Sequence, residues 1–330
     1  MKSPEIDILL STYNGAPYLM QQLDSLFKQT CQDWNVLVRD DGSTDGTLNL
    51  LKDVSRQDSR ILLIEENDSH LGACQGFAYL MRKSTSKYCM FCDQDDIWLP
   101  EKIQTMLSEM HRIESIYGNM PILVVSDLIV VDEKMNIIAP SFWKFQRVSP
   151  IKGNNFPSMV IQNKYPGCSM LFNRRLRELM QYIPEQAVMH DWWVAIGASA
   201  FGRIAVVQKP LTYYRQHRHN TIGLPPTGSI SGILKSIYRI ITFNPIALEK
   251  LRSIQDSPEI LACRAFQLQY AEKLTKGQVA VLQSLGDHSL VGIFKYGIFR
   301  ETWQSNLNLL VLLLLLKLMR KSHSTQHRPT

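Results

Sequence analysis

The chain has 330 residues, of which 45% are hydrophobic and 20% charged, and its formal net charge is +6. This composition is typical of a folded globular protein and excludes a fibrous or largely disordered chain. The net charge is small for the length, and no Lys/Arg run with interleaved aromatic residues stands out, so we expect no nucleic-acid partner.

The amino-terminal residues and the cysteines both point to the cytoplasm. Residues 1–6 carry charges and lack the apolar run, roughly 7–15 residues long, of a signal peptide. The six cysteines lack the spacing of a disulfide framework, which favours a reducing compartment. Cys89 and Cys92 lie in an apolar run with no second ligand pair after them, so we interpret them as two buried thiols of a strand rather than as a zinc site.

Apolar runs typical of strands alternate with stretches in which apolar residues recur at helical spacing. This alternation predicts an α/β domain built on a largely parallel sheet. The predicted strands cover residues 6–11, 35–39, 61–65, 87–91 and 122–126, and the predicted helices cover residues 19–29, 47–56, 72–83 and 101–116.

The pattern changes in the second half of the chain. A hairpin with its turn near 133–136 is followed by an irregular excursion over 140–165 and by a last strand over 204–208. Helical patterns at 233–241, 259–273 and 278–285 then dominate. We therefore predict a catalytic domain over 1–225 and a helical carboxyl-terminal extension over 226–330.

A leucine-rich stretch at 306–320, closed by basic residues, is the strongest apolar feature of the extension. It falls short of the roughly 20 apolar residues that a membrane-spanning helix needs. We favour a segment that lies on the membrane surface, although a segment that mediates dimerisation would have a similar composition.

Three polar segments, at 11–15, 40–45 and 93–96, follow the first, second and fourth predicted strands. Right-handed crossovers place all strand-to-helix loops at one edge of a parallel sheet, where ligands bind in open α/β folds. The sequence therefore predicts that these three segments converge on one site.

The segment at 93–96 carries three carboxylates, Asp93, Asp95 and Asp96. Such crowding is unfavourable unless a positive charge joins it, and Mg²⁺ is typically held by one or two carboxylates together with substrate phosphates. The alternative is that these aspartates cap the helix that begins near residue 100. In the segment at 40–45, Asp45 has ordinary turn chemistry, whereas Asp40 and Asp41 could accept hydrogen bonds from a nucleoside.

Ser-Thr-Tyr-Asn at 11–14, Asp-Asp-Gly-Ser-Thr-Asp at 40–45 and Asp-Gln-Asp-Asp-Ile-Trp at 93–98 together resemble the motifs of family 2 glycosyltransferases. The likeness covers about residues 5–220 and is strongest to rhamnosyltransferase-like members that build bacterial surface polysaccharides. It implies a GT-A fold, with a mixed sheet flanked by helices, and an inverting transfer from a nucleoside diphosphate sugar with Mg²⁺ or Mn²⁺ as cofactor.

The resemblance also implies roles for individual residues. Asp191 falls where the family places its general base, although His190 stands where many members have Glu. Ser11, Thr12, Tyr13, Asp41, Asp93, Asp95 and His217 would contact the nucleotide sugar; Asp95, Asp96 and His217 would hold the metal; and Gly167, Trp192 and Trp193 would lie on the acceptor side. For Trp192 and Trp193, simple packing in the core is the alternative, and His217 could belong to a solvated turn.

The expected function is transfer of a sugar, such as rhamnose, to a growing lipid-linked glycan of an O-antigen, capsule or cell wall. The expected location is cytoplasmic, at the inner face of the cell membrane. Two alternatives remain open from the sequence: a non-catalytic nucleotide-sugar-binding protein, and a nucleotidyltransferase, which also uses carboxylates and Mg²⁺.

Overall fold

The computed structural model describes residues 4–64, 70–151, 154–218, 258–287, 289–300 and 306. Strands and helices alternate through the first half of the chain. The strands are β1 (Ile6–Thr12), β2 (Trp34–Asp40), β3 (Ile61–Leu63), β4 (Tyr88–Cys92), β5 (Ile97–Trp98), β6 (Ile122–Asp132), β7 (Ile137–Ala139), β8 (Met170–Asn173) and β9 (Arg203–Gln216). The helices are α1 (Ala16–Phe27), α2 (Thr47–Gln57), α3 (Gly72–Lys83), α4 (Lys102–Tyr117), α5 (Phe142–Gln146), α6 (Phe156–Met159), α7 (Arg174–Met180), α8 (His190–Phe201), α9 (Pro258–Gln269), α10 (Lys276–Gly286) and α11 (Leu290–Tyr296).

The sheet of the described residues has nine strands in the order β3-β2-β1-β4-β8-β6-β9-β5, with β7 paired to β6. It is mixed, as the family resemblance implies, and not largely parallel, as the alternation alone predicts. The strands from β3 to β4 pair in parallel, but β8 runs antiparallel to both of its neighbours, β4 and β6. The reason is that the chain enters β8 from the irregular excursion through a 3-10 turn at Gly167–Ser169, and not from a crossover helix.

The early elements agree with the sequence pattern to within a few residues, and the hairpin turn lies between β6 and β7 as predicted. The last predicted strand is much longer than expected, because β9 continues to Gln216 and pairs with β6 and β5. The predicted helix at 233–241 and the predicted domain boundary at 225 lie outside the described residues.

Both faces of the sheet are buried, which explains why its central strands are almost continuously apolar. Leu9 and Phe91 contribute to a core shared with α3 and α8, whereas Ile8 and Met90 contribute to a core shared with α1 and α4. The sheet is therefore a rigid platform, and its carboxyl edge fixes the loops that follow β1, β2 and β4.

The carboxyl-terminal helices pack against the sheet domain. Phe266 of α9 is fully buried, and its ring centroid lies 5.1 Å from that of Trp193 on α8 and 6.1 Å from that of Phe156 on α6. Tyr270, directly after α9, donates a hydrogen bond from its hydroxyl to the carbonyl of Leu179 (2.8 Å). The described part of the extension thus shares one hydrophobic core with the sheet domain.

Within the described residues, no helix combines the length and the apolar character needed to cross a bilayer. The leucine-rich stretch, apart from Asn306, lies outside those residues.

Replacing Trp193 tests its place in this core. Trp193 is 1% exposed, so Trp193→Ala should lower the free energy of unfolding by about 3–5 kcal/mol, as large-to-small core substitutions do. Leu268→Ala on α9 is the control, because Leu268 is 80% exposed and its loss should change stability by no more than about 0.5 kcal/mol. Urea titration of both variants measures the difference. Equal stabilities would contradict the packing of α8 against α9.

Candidate active site

A cleft of about 370 Å³ opens at the carboxyl edge of the sheet. The register of β1 with β2 and β4 pairs Thr12 with Asp40 and Leu10 with Cys92, which brings the loops after these strands together. The cleft is lined by Ser11, Thr12, Tyr13, Asp41, His70, Gly72, Ala73, Phe77, Asp93, Gln94, Asp95, Pro166, Gly167, Met189, His190, Asp191 and Tyr214. The predicted convergence of the three polar segments is therefore confirmed.

Asp41 organises one end of the cleft. Its carboxylate oxygens accept hydrogen bonds from the backbone N–H groups of Leu71 and Gly72, each at 2.8 Å, and it is paired with the buried guanidinium of Arg39. Burial alone would raise the pKa of Asp41, but Arg39 and the two backbone donors hold it below the ordinary value of 3.8. Asp41 is thus an ionised side chain that fixes the start of α3.

The loops after β1 and β4 are joined by Gln94. Its side-chain amide accepts from the backbone N–H of Tyr13 and donates to the carbonyl of the same residue, both at 2.9 Å. Gly15 leaves the room for this contact, because a Cβ there would lie 2.1 Å from the Gln94 Oε1. Asp45 joins the loops after β1 and β2 by accepting from the N–H groups of Ala16 and Thr47, both at 3.1 Å. The structural role predicted for Asp45 is confirmed.

The three aspartates after β4 occupy different positions. Asp93 and Asp95 line the cleft, whereas Asp96 is fully buried behind it. Burial, followed by the charge of Asp95, raises the pKa of both Asp93 and Asp96. One oxygen of Asp96 accepts from the backbone N–H of Arg215 (3.0 Å), and its Oδ2 has no hydrogen-bond partner among the described residues.

Basic side chains surround this loop. Lys102 of α4 is fully buried and donates from Nζ to the carbonyl of Cys168 (2.5 Å) and to Thr212 Oγ1 (2.8 Å). Arg215 donates from Nε to the carbonyl of Asp95 (2.7 Å). The imidazole Nε2 of His217 lies 2.8 Å from Asp95 Oδ2, and its ring stacks on Tyr18 with centroids 4.8 Å apart. His217 is therefore a fixed, buried neighbour of Asp95 and not part of a solvated turn.

The carboxylate oxygens of the aspartates fit a hard divalent cation, whereas the thiol of Cys168, whose pKa is raised by burial, does not. Ligand atoms of Asp93, Asp96 and Cys168 lie within 4.8 Å of one another, and Oδ2 of Asp96 has no hydrogen-bond partner among the described residues. Carboxylate oxygens that raise one another's pKa are stabilised by a cation placed between them. The predicted ligands Asp95, Asp96 and His217 do not form one cluster, because Asp95 and His217 contact each other and Asp96 lies with Asp93.

Asp191 lies across the cleft in the first turn of α8, and it is 8% exposed. Its Oδ2 accepts from the backbone N–H of Gly167 (3.0 Å), and its Oδ1 accepts from that of Trp192 (2.6 Å). Burial raises the pKa of Asp191 to about 6, although these backbone donors oppose the rise. A carboxylate with such a pKa can accept a proton near neutral pH.

The two tryptophans after Asp191 do not line the cleft. Trp193 is buried among the rings of α9, and the indole N–H of Trp192 donates to the carbonyl of Met159 (2.6 Å). Of the two interpretations of the sequence, packing in the core describes their positions, because α8 turns this side toward α6 and α9. Gly167, the third predicted acceptor-side residue, does line the cleft.

The family model described as Glycosyl transferase family 2 matches residues 7–180, which is more than half of the 330 residues. The chain is a family 2 glycosyltransferase. The matched residues include the loops after β1, β2 and β4, so the segment that bears the aspartates lies within the matched range. Asp191 and His217 lie beyond the matched residues.

Curated relatives of this glycosyltransferase have modest identity to it. An uncharacterized glycosyltransferase of Nostoc sp. is 28% identical over 66% of each chain. The dTDP-rhamnosyl transferase RfbG of Shigella flexneri is 26% identical over 65% of this chain and 73% of its own length. The UDP-Glc:alpha-D-GlcNAc-diphosphoundecaprenol beta-1,3-glucosyltransferase WfgD of Escherichia coli is 32% identical over 36% of this chain and 46% of its own length.

Solved structures share the fold at low identity. S. aureus TarS 1–349 superposes with a TM-score of 0.55 and 15% identity, covering 89% of this chain and 75% of that one. The mannosyltransferase PcManGT of Pyrobaculum calidifontis, solved with GDP-Man and Mn²⁺, gives a TM-score of 0.50 and 16% identity over 97% of this chain and 89% of that one. The predicted GT-A fold is confirmed.

Several residues of the cleft are not apparent from the sequence of the glycosyltransferase. His70 stands in the loop before α3, with its ring 5.0 Å from that of Tyr13. Phe77 and Tyr214 look like ordinary apolar positions of a helix and a strand, and only the fold shows that they face the cleft. Lys102, which does not line the cleft, has the sequence position of an ordinary lysine at a helix start. Its burial could not be inferred from its neighbours in sequence.

The hydrogen bonds of Asp41 predict a pH-dependent contribution to stability. Asp41→Asn should lower the free energy of unfolding by about 1–3 kcal/mol at pH 7, because the amide cannot accept from all the donors that face it. The wild type should have the higher free energy of unfolding above pH 3.8, the ordinary pKa of an aspartate. This difference is lost as the pH falls through the lower pKa of Asp41 in the folded protein.

Urea titrations at several pH values measure this effect. Asp53→Asn on the exposed face of α2 is the matched control, since its ion pair with Arg56 is exposed and should contribute at most about 1 kcal/mol. A deficit of Asp41→Asn that stays constant down to pH 3 would contradict the account.

Proposed function

We propose that this glycosyltransferase moves a sugar from a nucleoside diphosphate sugar to a hydroxyl group of a growing glycan, with inversion at the anomeric carbon. The observation that carries the proposal is the placement of Asp93 and Asp95 on one wall of the cleft and Asp191 on another. Acidic groups that could hold a diphosphate through a cation thus share one cavity with a carboxylate of raised pKa.

The proposed reaction is a direct displacement. Asp191 accepts the proton of the acceptor hydroxyl as that oxygen forms a bond to the anomeric carbon, and the bond from that carbon to the diphosphate oxygen breaks. The nucleoside diphosphate leaves with the bonding electron pair. The backbone N–H groups of Gly167 and Trp192 hold the carboxylate of Asp191 in place during the proton transfer.

Asp95 and Asp93 are the proposed metal ligands that face the cleft, with Asp96 behind them and His217 beside Asp95. A bound Mg²⁺ or Mn²⁺ would offset the charge that develops on the leaving diphosphate. Arg215 and His217 orient Asp95 through its carbonyl and its carboxylate, respectively. Burial of Lys102 lowers its pKa, and the nearby acidic groups oppose this change.

Ser11, Thr12, Tyr13 and Asp41 form the proposed nucleoside end of the cleft. Tyr13 is 49% exposed and faces His70, so the two rings offer flat surfaces to a nucleobase. Asp41 and Gln94 hold this end in shape through backbone contacts with the neighbouring loops. Gly167, at the Asp191 end, is the proposed neighbour of the acceptor.

The proposed donor is dTDP-rhamnose and the proposed acceptor a lipid-linked glycan of a bacterial surface polysaccharide. The names of RfbG, a dTDP-rhamnosyl transferase, and WfgD, which acts on a diphosphoundecaprenol acceptor, support this choice. The enzyme would act in the cytoplasm at the inner membrane face, where the leucine-rich stretch at 306–320 would lie on the lipid surface.

Replacing the proposed base should separate binding from chemistry. Asp191→Asn should lower kcat by about 10²–10⁴ and leave the affinity for the nucleotide sugar unchanged. In the wild type, kcat/KM should fall as the pH drops below about 6, because protonated Asp191 cannot accept a proton. Donor turnover across a panel that includes dTDP-rhamnose and UDP-glucose, with pH profiles for both proteins, measures these effects. Normal turnover by Asp191→Asn would remove Asp191 from this role.

The metal assignment predicts a second set of results. In the wild type, Mn²⁺ should strengthen binding of dTDP or UDP, and EDTA should abolish the gain. Asp95→Asn should weaken metal-dependent nucleotide binding by at least about 10–100-fold. That is the loss seen when a residue that only contacts a metal ligand is changed, and Asp95 is itself a proposed ligand. Isothermal titration calorimetry measures the affinities, with Asp33→Asn at the opposite end of β2 as the control. Metal-independent nucleotide binding in the wild type would contradict the assignment.

A further inference from the structure

His190, the first residue of α8, is a buried polar side chain that has no role in the proposed reaction. It is 4% exposed, it lines the cleft beside Asp191, and neither of its ring nitrogens has a hydrogen-bond partner among the described residues. Buried polar groups are nearly always paired, so two unpaired nitrogens on one side chain require an explanation.

Packing does not supply that explanation. The imidazole of His190 stacks on Phe77 with ring centroids 4.0 Å apart and meets the edge of Phe91 at 4.6 Å. An apolar side chain would fill such an aromatic site without leaving polar atoms unsatisfied. The imidazole therefore stabilises the protein less than an apolar side chain would. Its two nitrogens are the feature that an apolar side chain at this position would lack.

The ring of His190 is neutral, because burial in this aromatic site lowers its pKa to about 3. A neutral imidazole carries one N–H donor and one nitrogen acceptor. A hydroxyl group, which both donates and accepts, can pair with whichever ring nitrogen it meets, whereas a phosphate, which only accepts at neutral pH, can pair only with the N–H.

Nε2 of His190 lies close to the backbone of Gly167, next to the proposed base. A Cβ added to Gly167 would lie 3.0 Å from Nε2 of His190 and 3.5 Å from Cβ of Asp191. Gly167 is therefore packed against Nε2 and against Cβ of the proposed base, and any side chain there would crowd them. Because Gly167, His190 and Asp191 all line the cleft, a group bound at this end lies close to the imidazole and to the carboxylate.

We propose that His190 binds a sugar hydroxyl group at the Asp191 end of the cleft, through one of its unpaired ring nitrogens. This inference rests on the proposed function. The hydroxyl belongs to the donor sugar or to the acceptor glycan, and the two sources are separated by the substrate whose binding changes.

The test compares His190→Leu, which removes both nitrogens, with His190→Gln, whose amide keeps a donor and an acceptor. Affinities are measured for dTDP and UDP, which have no transferred sugar, and for dTDP-rhamnose and UDP-glucose. KM is measured for a short-chain analogue of GlcNAc-diphosphoundecaprenol. Urea titration reports the stability of each variant.

We expect His190→Leu to be at least as stable as the wild type and to bind dTDP and UDP unchanged. A loss of about tenfold, the value of one neutral hydrogen bond, should appear in nucleotide-sugar affinity if the donor supplies the hydroxyl, or in acceptor KM if the acceptor does. His190→Gln should recover part of the loss, which a purely structural role would not produce.

Two results would overturn the inference. One is His190→Leu with nucleotide-sugar affinity and acceptor KM both within twofold of the wild type. The other is a parallel loss of stability and of dTDP and UDP affinity, which would make His190 a core residue. Failure of the proposed function would look different, because the wild type itself would then transfer no sugar, or Asp191→Asn would transfer it normally.

Discussion

Repulsion among the carboxylates of Asp93, Asp95 and Asp96 is the constraint on which the site depends. Burial and mutual charge raise the pKa of Asp93 and Asp96, so the folded chain holds these groups together against an electrostatic cost. The surrounding protein offsets part of that cost with Lys102 beneath the loop and Arg215 behind it. These buried cations belong to α4 and β9, so the charge balance of the loop after β4 depends on both elements.

The same platform explains how distant parts of the chain form one cleft. The parallel strands β1, β2 and β4 end at one edge and present their loops side by side, and Gln94 and Asp45 join those loops. The opposite wall comes from the 3-10 turn before β8 and the first turn of α8. The packing of α8 against α9 through Trp193 and Phe266 fixes the helix that carries Asp191. The helices α9–α11 therefore support the site, although none of their described residues lines it.

The sequence predicted the fold and most of the cleft, because alternating elements and three motif loops carry that information locally. Asp191, which the family resemblance implies as the base, also lines the cleft. Other features depend on the three-dimensional arrangement. The antiparallel placement of β8 and the short β5 have no periodic signal, since each is only two to four residues long. Burial of Lys102 depends on the 3-10 turn and β9, and the inward position of Trp193 depends on α9. These partners come from far along the chain, so no local pattern specifies them.

The central claim is that the cleft holds a nucleoside diphosphate sugar with its diphosphate at the aspartates and its sugar facing residue 191. A crystal structure of the Asp191→Asn variant with Mn²⁺ and dTDP-rhamnose or UDP-glucose tests it most directly. The account predicts Mn²⁺ between the diphosphate and Asp95, the nucleoside beside Tyr13 and Asp41, and the sugar at the Asp191 end of the cleft. A nucleotide sugar bound elsewhere, or bound with its sugar turned away from residue 191, would contradict it.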